Sequence, residues 1–180
     1  LEPAKCIYAN ICDGCQFQDI NYKKQIDLKK NSIINSINRI ARENIEDIDF
    51  QAFEQRYNYR NKVELKVDLF GNISYFSRKT NDNVAIKECI IANEKINQII
   101  EVLQEAIYDL ELRGFDNRRN QGFIKNIMIR ATSIGESMVV MVLAQEKNLD
   151  QFISILEKFG LIDSFYTSIN SKRNNYKILR

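Results

Sequence analysis

Cys6-Ile-Tyr-Ala-Asn-Ile-Cys12-Asp-Gly-Cys15 is the stretch around which the rest of the chain is organised. It spaces three thiols as C-x5-C-x2-C, and the only other cysteine in 180 residues is Cys89, within Ile86-Lys-Glu-Cys89-Ile-Ile91. Three clustered thiols and a distant fourth predict a four-thiolate metal centre closed by the fold. Thiolates are soft anionic donors that suit zinc or an iron–sulfur cluster. The C-x2-C pair reaches one centre from a single tight turn, where Gly14 is expected to supply backbone freedom. Structural zinc sites usually combine two short knuckles. Here one loop is wide and Cys89 stands alone, so the spacing favours a [4Fe–4S] cluster over zinc. The competing readings are two disulfides or four unrelated core thiols. No basic-then-apolar secretory leader is seen, and a Lys- and Asn-rich chain with few cysteines reads as cytoplasmic, where disulfides are rare. The clustering of three thiols argues against unrelated core cysteines.

Composition narrows the chemistry. Hydrophobic residues make up 44% and charged residues 28% of the chain, as in an ordinary soluble globular domain. The formal net charge is +2, so any nucleic-acid surface must be a local patch. There is no histidine, which removes the commonest general acid or base and the imidazole metal ligand. No glycine-rich phosphate loop is present, and no apolar run approaches the roughly 20 residues that span a bilayer.

Along the chain, Asn21 reads as a helix cap. Ile26, Ile33, Ile37 and Ile40 draw a stripe on a long helix within residues 19–43. That stripe must be covered by this domain or by a partner. Residues 43–55 read as irregular. Tyr57 to Val67 alternates as a strand, with Val63, Leu65 and Val67 on one face and Lys62, Glu64 and Lys66 on the other. Gly71-Asn72 turns it into a second strand, Ile73 to Ser77. Val84 and Ile86 lead from a strand into Cys89. A second amphipathic helix is expected from Asn93 to Leu112, ending near Gly114. Phe123 to Thr132 and Ser137 to Ala144 form a hairpin about Ile134-Gly135-Glu136, the latter strand covered on both faces. A third helix runs from Leu149 to Phe159, and two last strands, Phe165 to Ser171 and Tyr176 to Leu179, form a closing hairpin. The expected fold is α+β: a mainly antiparallel sheet of hairpins covered by helices, with the cysteine loop at its N-terminal end.

Cys12-Asp-Gly-Cys15-Gln-Phe-Gln18-Asp-Ile-Asn-Tyr22-Lys-Lys-Gln25-Ile-Asp-Leu-Lys29 resembles the signature of the RNA uracil-5-methyltransferase family, C-x5-C-G-G-C, a Gln, then Y-x2-Q-L-x2-K. Tyr59-Arg60-Asn61-Lys62 resembles its Y-R-N-K strand, and Ile86-Lys87-Glu88-Cys89 its fourth-cysteine segment. Ile129-Arg130 with Gly135-Glu136-Ser-Met138-Val139-Val140 resembles its I-R hairpin. Ser168-Ile169-Asn170 and the stretch from Asn175 resemble its last motifs. The matches keep family order over almost the whole chain. Asp13 departs from the first glycine of C-G-G-C, and Asn81 stands where many members have a serine–histidine pair.

The resemblance implies that residues 1–180 are the central [4Fe–4S]-binding domain of a longer enzyme. The family's β-barrel RNA-binding (TRAM) domain and its catalytic domain, which binds S-adenosylmethionine and carries the nucleophilic cysteine, lie outside this chain. The implied ligands are Cys6, Cys12, Cys15 and Cys89, and no residue here is expected to be catalytic. RNA, transfer or ribosomal, is the implied partner, met by Arg60, Lys62 and Arg130, with Arg118-Arg119 and Lys172-Arg173 as further basic turns. Tyr22, Gln25 and Lys29, on successive helical turns, are expected to dock on the missing catalytic domain. The alternatives are a stand-alone zinc-binding RNA adaptor and an iron–sulfur electron-transfer module.

Overall fold

A computed structural model describes residues 2–77, 79–80 and 82–171. Its elements in chain order are α1 (Tyr22–Ala41), β1 (Lys62–Val67), β2 (Ile73–Phe76), β3 (Asn83–Ala85), α2 (Glu94–Asp109), β4 (Ile124–Ala131), β5 (Ser137–Leu143), α3 (Asp150–Phe159) and β6 (Ser164–Ile169). The six strands form one sheet in the order β3-β2-β1-β4-β5-β6.

The core lies between one sheet face and α2. Val63, Leu65 and Val67 of β1 are buried, while Lys62, Glu64 and Lys66 face away, as their alternation predicts. Ile127 and Ile129 of β4, and Val139 and Met141 of β5, continue this apolar surface. Onto it α2 lays Ile96, Ile99, Ile100, Leu103 and Ile107, each at most 1% exposed. Fully burying one such side chain is worth about 2 kcal/mol, so this layer dominates the stability of the domain. Asn93 caps α2 through its side-chain oxygen, which accepts from Lys95 N at 2.9 Å.

Two expectations are corrected. The sheet is mixed, because β6 runs parallel to β5. The chain leaves β5, crosses through α3 and re-enters beside β5, and a helical crossover returns a strand parallel where a tight turn would return it antiparallel. The anticipated partner strand from Tyr176 to Leu179 lies outside the described residues, as do Asn81 and Lys172-Arg173. Nor is β5 covered on both faces: Met138, Val140 and Val142 are only half-buried, since α2 and α3 serve the other side. The run of apolar residues reflects a strand central to the sheet with one packed face.

The first helix behaves differently from the other two. Asn21 caps it, accepting from Lys23 N at 2.9 Å, but α1 makes no extensive contact with the other helices or strands among the described residues. Only Ile34 is buried, while Leu28, Ile33 and Ile40 are 40%, 42% and 75% exposed. The irregular segment after it runs back beside it. Asn38 exchanges two hydrogen bonds with the Ile45 backbone, and Lys30 pairs with Asp47, whose carboxyl is held below its usual range by that contact. The helix and its return strap form an arm.

Gly114 marks where the chain passes closest to itself. A Cβ there would lie 1.6 Å from the Val67 carbonyl oxygen, whereas one on Gly135, at φ +90°, would meet nothing within 4 Å. Gly114→Ala is therefore expected to cost more than about 3 kcal/mol, and Gly135→Ala about 1 kcal/mol of backbone strain alone. Urea denaturation of both variants checks the contrast.

Candidate metal centre

The cysteine loop is built by short-range turns. Ala9 N donates to Cys6 O, and Cys12 N to Tyr8 O at 2.8 Å. It then joins the sheet, where Cys12 bridges Ser77 and Asp13 N donates to Phe76 O at 3.0 Å. Tyr8 spans to the other half of the site, its hydroxyl accepting from Lys87 N at 3.1 Å. Gly14 serves a purpose other than the expected one. Its φ is not positive; instead its amide donates to Cys12 Sγ at 3.3 Å, and a Cβ would sit 3.3 Å from that sulfur.

Cys89 arrives from β3 and is 9% exposed. The first turn of α2 holds it: Cys89 N donates to Asn97 Oδ1 at 2.9 Å, and Asn97 Nδ2 donates to Cys89 O at 3.1 Å. The approach to β1 holds it from the other side. Asn58 N donates to Ile90 O, Arg60 N to Ile91 O at 2.7 Å, and Asn93 N to Arg60 O. The fold thus brings all four cysteines to one narrow cleft, with Gln18 and Tyr75 in its wall.

The electrostatics agree with that convergence. Burial pushes the Cys12 thiol up; the Gly14 amide opposes this, and the three other cysteines add to the rise. Burial likewise raises Cys15, opposed first by Gln18, whose amide lies 3.6 Å from the sulfur. The Tyr75 hydroxyl is pushed well up by burial and by Cys89. These raised values favour the neutral thiol form of Cys12 and Cys15. The cleft has a volume of about 20 Å³. Among the described residues no group of three or more His, Cys, Asp or Glu side chains already stands as a site for a metal ion. The donor chemistry nonetheless suits a soft centre, with four cysteines lining one cleft.

The expected RNA and docking residues fall into two groups. Arg60 is half-buried rather than on an open strand face, and its Nη2 donates to Gly14 O at 3.1 Å. It lies in the wall of an open groove of about 520 Å³ between the cysteine loop and the start of α1. Tyr22, Gln25 and Lys29 line the same groove, together with Lys5 and Arg56. Tyr22 hydrogen-bonds Phe53 O, with the Arg56 guanidinium 4.4 Å from its ring. Gln25 Nε2 donates to Phe17 O and Ile20 O at 2.9 and 2.8 Å. Gln25 thus ties α1 to the segment just after Cys15, and Tyr22 ties it to its own return strap. Lys62 and Arg130 lie elsewhere, directly opposite one another on β1 and β4, on the uncovered sheet face. Lys62 also pairs with Glu64 at 2.5 Å.

No protein-family model matches the chain. It is 29% identical over 182 residues to an uncharacterized RNA methyltransferase of Clostridium tetani, covering 97% of this chain and 39% of that relative. It is 32% identical over 170 residues to another from Fusobacterium nucleatum, covering 90% of this chain and 37% of the relative. Among solved structures it superposes on Pyrococcus abyssi tRNA (uracil-54, C5)-methyltransferase, in complex with S-adenosyl-L-homocysteine, with a TM-score of 0.71 and 24% identity, covering 92% of this chain and 38% of that one. The α+β fold is shared with that structure, and the sequence is similar to proteins named RNA methyltransferases. The relatives it matches over nearly its whole length are named RNA methyltransferases, and the ordered motifs of its own sequence resemble those of the uracil-5-methyltransferase family. The chain spans 37–39% of the length of these two curated relatives.

Asn97 carries no motif and was invisible to spacing arguments, yet its amide closes both backbone groups of Cys89. Asn97→Ala should cost about 1–2 kcal/mol. Denaturant unfolding of the metal-free chain is the measurement, and an unchanged midpoint would deny Asn97 this role.

Proposed function

We propose that this chain is the iron–sulfur-binding, RNA-contacting central domain of a cytoplasmic RNA uracil-5-methyltransferase whose catalytic and TRAM domains lie outside residues 1–180. The observation that carries the reading is the arrival of Cys6, Cys12, Cys15 and Cys89 at one cleft from two distant segments. These four thiolates would hold a [4Fe–4S] cluster, which when bound supplies a strong cross-link between the loop and the Cys89 segment. Metal binding of this kind can be a large part of folding free energy. Arg60 supports the same centre by placing a cation beside Cys15, offsetting charge that gathers when thiols ionise. Methyl transfer from S-adenosylmethionine belongs to the parent's other domains, and the four cysteines are committed as ligands rather than nucleophiles.

The RNA part of the proposal rests on two surfaces. Lys62 and Arg130 present adjacent cations on the uncovered sheet face. The groove beside the cysteine loop places Arg60, Lys29 and Arg56 among the rings of Tyr22, Tyr57 and Tyr59. Cations that neutralise phosphate beside rings that stack on bases are the chemistry of single-stranded RNA recognition. The exposed stripe of α1, with Tyr22, Gln25 and Lys29 at its start, is the proposed meeting place with the catalytic domain.

Purification without oxygen tests the centre: about four iron and four sulfide per chain are expected for a cubane. Zinc without iron would favour the RNA-adaptor alternative. Incubation with S-adenosylmethionine and RNA should yield no 5-methyluridine. For the sheet-face contacts, titration of a fluorescent single-stranded RNA across salt concentrations is decisive. Lys62→Ala or Arg130→Ala should each weaken binding and lower the salt slope by about 0.7, and an unchanged slope would remove those residues from the interface.

A further inference from the structure

The hydroxyl of Tyr75 is buried and lacks a hydrogen bond of ordinary geometry among the described residues. Tyr75 lies in β2 opposite Val84 of β3, two residues beyond the fully buried Ile73. Its side chain forms part of the wall of the four-cysteine cleft. The oxygen is shielded from solvent and makes no hydrogen bond of ordinary geometry among the described residues. Leaving a buried hydroxyl unpaired costs about 1–3 kcal/mol, a cost that phenylalanine at this position would avoid.

Cys89 and Arg60 lie near enough to act on it both through their charge and as loose hydrogen-bond neighbours. A guanidinium has no acceptor to offer a phenolic O–H, and that of Arg60 already donates to Gly14 O. A neutral thiol is a weak acceptor. A thiolate is a much stronger one, since hydrogen bonds to ionised groups are roughly twice as strong as neutral ones. Cys89 therefore becomes a good acceptor only when it is deprotonated as a ligand. Gln18 supplies the parallel case on the other side of the cleft, directing its amide at Cys15 Sγ from 3.6 Å.

We propose that Tyr75 is a positioning residue for the metal centre, donating its hydroxyl hydrogen bond to the Cys89 thiolate when that sulfur ligates iron. The hydrogen bond holds the one ligand that comes from outside the loop and withdraws electron density from its sulfur. Hydrogen bonds to cluster sulfurs are among the factors that set reduction potential, and removal of this one shifts the potential negative. The inference rests on the iron–sulfur reading given above.

Tyr75→Phe keeps the ring and deletes only the oxygen. The chain and this variant are purified without oxygen, assayed for iron and sulfide, and titrated potentiometrically with the reduced cluster followed by electron paramagnetic resonance. Expected are equal iron contents, a more negative midpoint potential in the variant, and a shifted iron–thiolate stretching band in resonance Raman spectra. The metal-free forms supply a second measurement. There Tyr75→Phe should melt at the same temperature as the parent or higher, because the hydroxyl it removes makes no hydrogen bond of ordinary geometry. Equal potentials and equal Raman bands would overturn the proposal, as would a metal-free variant that melts lower, since the hydroxyl would then have a partner within the protein. Absence of iron and sulfide from the unsubstituted chain would instead overturn the cluster reading itself.

Discussion

The pairing of residues 58–60 with 90–93 is the constraint on which the site depends. Cys89 has no short turn of its own to aim it. Its position is decided by the backbone bonds from Asn58 and Arg60 on one side and by the Asn97 amide on the other. Those two supports begin β1 and α2, the elements that sandwich the core. The fourth thiol is thus located by the same packing that stabilises the domain, and the Cys6–Cys15 loop is brought to it through the Cys12 bridge at the end of β2.

Arg60 links these layers. Its backbone belongs to the support of Cys89, while its guanidinium holds the carbonyl of Gly14 in the opposite loop. The residue also borders the open groove, so one side chain connects the thiol cleft to the surface where aromatic and basic groups gather. A contact made in the groove would reach the cysteine loop through a single hydrogen bond.

The arm and the sheet face leave the domain unevenly finished. One face of the sheet is sealed by α2 with side chains at or near zero exposure, and the other carries half-buried Met138, Val140 and Val142 beside cations. The α1 stripe is exposed to a similar degree. Exposed apolar surface of this kind marks contact sites, and under the proposed function it is where the parent's catalytic domain would pack.

Local pattern alone determined the elements. The alternation of Val63, Leu65 and Val67, the caps at Asn21 and Asn93, and the turn at Gly135 are readable because strand and helix periods are properties of neighbouring residues. The clustered thiols and ordered motifs were readable for the same reason. Only the tertiary structure decided the parallel entry of β6, which depends on where a crossover helix lands. It alone also turned Arg60 toward Gly14 and assigned Asn97 to Cys89. The placing of the Tyr75 hydroxyl against Cys89 and Arg60 is likewise a tertiary fact, since a hydrogen-bond neighbour is defined by proximity in space and leaves no period or spacing in the chain.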